Sequence, residues 1–117
     1  MRLRNILLVV SNMERSVTFY RDLFGLKVIR DFGGNVILTE GLVLQECNGW
    51  EELTGYKVQY GGCDGELYFE ESKPEAFQQR LDLHDVQYTV TDSGDRRIIR
   101  LCDPDNHIIE VVGRVLD

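Results

Sequence analysis

The sequence predicts an α+β fold built from two tandem β-α-β-β-β modules, and three observations carry that prediction. The order strand, helix, three strands occurs twice along the chain. Each helix opens on the same pattern, Ser11-x-x-Glu14 and Ser72-x-x-Glu75, which has the form of a capping box. "GLVLQ" (41–45) and "NHIIE" (106–110) stand at matching places near the end of each half. The expected organisation is one domain: module one over 1–47, a joining loop over 48–64 and module two over 65–117.

Module one opens with "LRNILLVV", an apolar strand. "SNMERSVTFYRDLFGL" follows as a helix, because Met13, Val17, Tyr20 and Phe24 fall on one face. Gly25 supplies a C-terminal stop. "LKVIRD", "NVILT" and "LVLQEC" are strands, punctuated by Gly33-Gly34 and Glu40-Gly41 as turns. Module two repeats the order with "ELYFE", the helix "SKPEAFQQRLDLH", and the strands "VQYTV", "RRIIRLC" and "HIIEVV". Pro74 is tolerated in the first helical turn. The turn "DPDN" offers Pro104 at its second position and Asn106 where φ is positive. The joining loop carries Trp50, Tyr56 and Tyr60 among several glycines, which suits a lid or a connector with aromatic contacts.

The chain of 117 residues is 43% hydrophobic and 28% charged, the balance of a soluble globular protein. It shows no apolar run of membrane-spanning length. The basic and apolar start lacks a small-residue cleavage site and is expected to be a strand, not a signal peptide. Cys47, Cys63 and Cys102 are odd in number, widely spaced and in no CxxC motif. They are expected to be small core residues in a reducing, cytoplasmic setting. Net charge is −7, and the acidic excess lies wholly in residues 61–117, with thirteen acidic against six basic side chains. That disfavours nucleic acid as a partner and is compatible with a cation, a cationic ligand or plain solubility.

Glu110 interrupts an apolar strand, and a lone buried carboxylate is costly. Each half places one polar side chain early in its first strand and one late in its last: Asn5 and Gln45, then Glu66 and Glu110. Strand alternation puts Glu66 with Tyr68, and Glu110 with Ile108 and Val112, on mixed faces that would line a cavity. Two carboxylates and two amides suit a hard divalent ion if the halves bring them together. They equally suit a metal-free site, in which Glu66 and Glu110 hold a cationic group. A third alternative is an internal ion pair, since Arg100 shares a face with Ile98 and Cys102 and can reach Glu66 or Glu110. His84 and His107 are expected at the surface, and no nucleophile–histidine arrangement or phosphate loop is present.

With "SNMERSVTFYRDLFGLKV" and "DPDNHIIEVV" in this duplicated order, the chain resembles the glyoxalase/bleomycin-resistance/extradiol-dioxygenase (vicinal oxygen chelate) superfamily over its whole length. The resemblance implies cupped half-barrel sheets with helices outside, and a homodimer around a small-molecule ligand. It places metal ligands where Asn5, Gln45, Glu66 and Glu110 stand, for one divalent ion (Mg²⁺, Mn²⁺, Ca²⁺ or Ni²⁺) or none. Asn5 and Glu66 depart from the histidines usual there, which argues against extradiol dioxygenase activity. One implied function is a binding protein that sequesters a drug or metabolite, with Trp50, Tyr60, Tyr68 and Arg100 against the ligand. The alternatives are a glyoxalase-like lyase or isomerase using Glu110 or Glu66 as base, and a non-catalytic interaction protein.

Overall fold

The computed structural model describes residues 1–115; Leu116 and Asp117, the expected end of module two, lie outside them. The chain divides into two compact units, residues 1–59 and 60–117. Each contains a mixed four-stranded sheet and follows the expected duplicated order.

In unit 1 the elements are β1 (Ile6–Val10), α1 (Met13–Phe24), β2 (Val28–Asp31), β3 (Asn35–Leu38), β4 (Leu42–Glu46) and α2 (Cys47–Thr54). The sheet order is β1-β4-β3-β2, with β1 parallel to β4 and the other pairs antiparallel. Val10, Val36, Leu38, Leu42, Val43 and Leu44 are buried, so β4 is covered on both faces, and α1 adds Tyr20 and Leu23. Burial on α1 centres on Ser16, Tyr20 and Leu23, so the face expected from Met13, Val17 and Phe24 is only half-buried.

The cap of α1 differs from the expected box. Asn12 is the N-cap, its side chain accepting from the Arg15 backbone N–H at 3.0 Å. The Ser11 hydroxyl instead receives the Arg15 guanidinium at 2.9 Å. Gly25 ends the helix with φ 69°, as expected. The expected joining loop begins with a helix: α2 runs to Thr54 and stops at Gly55 in the left-handed region. Its eight residues include Gly49 and set Cys47, Trp50 and Leu53 three apart on one side.

In unit 2 the elements are β5 (Leu67–Glu70), α3 (Pro74–Leu83), β6 (Thr89–Ser93), β7 (Arg96–Cys102) and β8 (Ile108–Arg114). The sheet order is β5-β8-β7-β6, with β5 parallel to β8. Strand β6 starts three residues later than "VQYTV" suggests. Ile99, Leu101, Ile109 and Val111 point to one face, where Phe77 and Leu81 of α3 complete the core. Arg97 shares that face and reaches Gln78 and Glu75 of α3. The second expected capping box is also absent. Lys73 is the N-cap with no side-chain bond, and the Glu71 carboxylate takes the Lys73 N–H. Gly113 allows α3 to approach closely, since a Cβ there would collide with the Glu71 carbonyl and sit 3.0 Å from the Pro74 ring.

Cys63 and Cys102 are exposed and Cys47 is half-buried, all three free, so the cysteines are not core residues. Among the described residues no helix is long and apolar enough to cross a membrane.

Candidate functional site

The face of the second sheet away from α3 is the chemically loaded one. Register aligns Tyr68, Glu110, Arg100 and Thr89 in one row across all four strands. Directly across the ladder, the Arg100 Nη2 lies 2.9 Å from the Glu110 Oε1. The Glu110 side chain is 14% exposed and that of Arg100 49%. The carboxylate that interrupts an apolar strand is therefore held by a cross-strand guanidinium whose side chain is half exposed. Tyr68 is half exposed, and its hydroxyl accepts from Arg96 at 3.1 Å. Glu66, the residue before β5, stands abreast of Ile108, two residues along from Glu110.

Unit 1 does not repeat this arrangement. With the residues that begin β1 and β5 taken as equivalent, Val43 corresponds to Glu110 and Ile37 to Arg100. The first sheet's matching row is Leu7, Val43, Ile37 and Arg30. Gln45 lies two residues beyond, across from Val9, while Asn5 precedes the Ile6–Leu42 pair. Four residue steps separate the levels of Asn5 and Gln45, roughly 13 Å along the strands. The Gln45 Oε1 is also taken by the Asn35 amide at 2.8 Å. Asn5 and Gln45 thus stand apart along the first sheet, while Glu110 in the second is paired with Arg100. Among the described residues no group of three or more His, Cys, Asp or Glu side chains is placed to share a metal.

Of the aromatics in the joining segment, Trp50 sits on α2 with its ring 5.9 Å from Tyr56. Tyr60 lies edge-on to His107 at 6.0 Å. His107 is not the surface residue expected from sequence. Its Nδ1 is 2.7 Å from the Asp103 Oδ2, and the ring is 21% exposed above a fully buried carboxylate. The other Asp103 oxygen accepts the backbone N–H groups of Asp105 and His107 at 2.9 Å each, tying the turn before β8. The Asp103 hydrogen bond raises the His107 pKa above the ordinary imidazole value, against an opposing effect of burial. An acid four residues before a histidine, across a Pro-containing turn, was the available signal. His84 is exposed, its Nδ1 2.8 Å from the Arg80 carbonyl.

A duplicated βαβββ chain with mixed half-barrel sheets and a polar open face defines a vicinal oxygen chelate protein. Residues 3–116 match the glyoxalase-like domain, and the chain belongs to that family. Among solved structures, a protein of unknown function from Agrobacterium tumefaciens str. C58 is 32% identical, with a TM-score of 0.83 over 98% of this chain and 95% of that one. The fosfomycin resistance protein FosX from Listeria monocytogenes is 17% identical, with a TM-score of 0.78 over 99% and 95%. A lactoylglutathione lyase from Agrobacterium tumefaciens is also 17% identical, with a TM-score of 0.72 over 96% and 92%. At that identity the last two share the fold. No curated protein matches.

Proposed function

We propose that the chain is a small-molecule-binding protein whose ligand lies on the open face of the second sheet, against Tyr68, Arg100 and Glu110. The Arg100–Glu110 pair carries this reading. It commits the best-placed carboxylate to a guanidinium whose side chain is half exposed, an arrangement that offers a polar ligand group a charged partner. A half-exposed tyrosine beside it supplies an aromatic surface. Trp50 and Tyr60 are further candidates for ligand contact. The proposal includes a homodimer in the cytoplasm, as expected for this superfamily, and sedimentation equilibrium measures that state.

A thermal-shift screen of cationic, anionic and aromatic metabolites and drugs tests the binding reading, repeated on Arg100→Gln. Ligands that raise the melting temperature of the wild type and lose that effect in Arg100→Gln support it. A silent screen, or hits indifferent to Arg100, sinks it.

The register, with Glu66 one strand over and two residues along from Glu110, favours a second reading, a glyoxalase-like lyase or isomerase. Glu110 would then have to leave Arg100 to move a proton. Metal content by plasma mass spectrometry tests this reading, together with Mg²⁺, Mn²⁺, Ca²⁺ and Ni²⁺ titrations of wild type and Glu110→Gln. Near-stoichiometric metal lost in Glu110→Gln would place catalysis ahead of binding.

A further inference from the structure

At the end of the second sheet where β5 and β8 finish and β7 begins, a groove of about 940 Å³ opens, within the range that small ligands occupy. Its lining includes Tyr68, Glu70, Asp95, Arg96, Val112 and Arg114. Arg114 is matched by Asp95 at 2.8 Å. Glu71, also on the wall, accepts the Lys73 N–H. Among the described residues, two opposite charges in the lining have no ion pair of this kind. Arg96 bonds the neutral Tyr68 hydroxyl at 3.1 Å and adds only a weak pull on Asp95, which Arg114 already holds, whereas Arg97 and Arg100 each pair with a carboxylate of their own. Glu70 is exposed on the far side of β8.

Register fixes their spacing. Glu70 is level with Val112 and Arg96 with Arg114, so they stand two strands and two residues apart, about 12 Å between backbones. Val112, 6% exposed, lies between them as an apolar floor. The Tyr68 side chain crosses β8 to reach Arg96, adding an aromatic wall.

We propose that this groove binds a small zwitterion of dipeptide size, its carboxylate on Arg96 and its ammonium on Glu70. The groove shares Tyr68 with the site proposed above but neither Arg100 nor Glu110, so it is a second site on the same face and is tested by its own variants. An extended dipeptide separates its charged ends by about 7 Å, and the two side chains cover the remaining distance. Guanidinium suits a carboxylate because its paired donors match the two oxygens.

The test is an amide-NMR titration of the full chain with phenylalanylglycine, its N-acetyl derivative and its C-terminal amide. Wild type, Arg96→Gln and Glu70→Gln are compared, and the same spectra report that each variant is folded. The expected result is binding of the zwitterion, with each derivative and each variant weakened about tenfold or more. Equal binding of all three probes, or unchanged affinity in both variants, overturns the zwitterion and leaves the binding reading standing. No response to any probe overturns it as well; only if the thermal-shift screen is also silent does the broader reading fall with it.

Discussion

Two carboxylates of the second unit, Glu110 and Asp103, carry unequal shares of the fold. Glu110 has one guanidinium partner that is half in water, so solvent screens the pair. Glu110→Gln should lower stability by about 1 kcal/mol or less in urea denaturation. Asp103 is buried and accepts two backbone N–H groups as well as the His107 ring. Asp103→Ala should cost about 3 kcal/mol in the same assay, because those donors lose their partner inside the protein. The His107 pKa is raised in the fold, so its stabilising effect is complete below the unfolded value of about 6.5 and fades as pH climbs through the folded value. NMR titration of the imidazole should give a midpoint above that of a free histidine, and Asp103→Asn should bring it back. The Arg100 pairing was legible because strand alternation alone put both residues on mixed faces. The burial of Asp103 was not, since it depends on how the turn folds beneath the sheet.

At the scale of elements, the helices and strands followed from periodicity, while their ends and register did not. Both S-x-x-E patterns look like caps, yet Asn12 does the work at α1 and no side chain does at α3. Asn12→Ala should therefore destabilise by about 1 kcal/mol, with Ser11→Ala and Ser72→Ala near neutral by thermal melting. Gly113→Ala should cost more, about 1–3 kcal/mol from overpacking, because the added methyl meets the Glu71 carbonyl and the Pro74 ring at the start of α3. The likeness of "GLVLQ" to "NHIIE" aligned Gln45 with Glu110, whereas strand pairing aligns Val43 with it. A two-residue slip preserves inward and outward alternation, so sequence pattern is blind to it. Helix α2 is only eight residues long and carries Gly49 in its first turn, so the short run of Cys47, Trp50 and Leu53 at helical spacing sets it off weakly from a loop.

Across the whole molecule the duplication was the most legible property, because two complete element orders repeat and each encloses its own core. The boundary between the units falls at Gln59–Tyr60, inside a stretch without helix or strand that follows Gly55. Lys57 lies there with an exposed side chain. Limited trypsin digestion should cut first after Lys57, and mass spectrometry of the earliest fragments checks it. The parallel pairs β1–β4 and β5–β8 have a kinetic consequence. Ile6 meets Leu42 and Leu67 meets Ile109, contacts 36 and 42 residues apart, whereas the antiparallel strands between them are near neighbours in sequence. Closing those long loops is entropically slow, so in each unit the three-stranded meander should assemble first and the leading strand should zip on last. Substitutions in β1 and β5 would then speed unfolding while hardly slowing refolding.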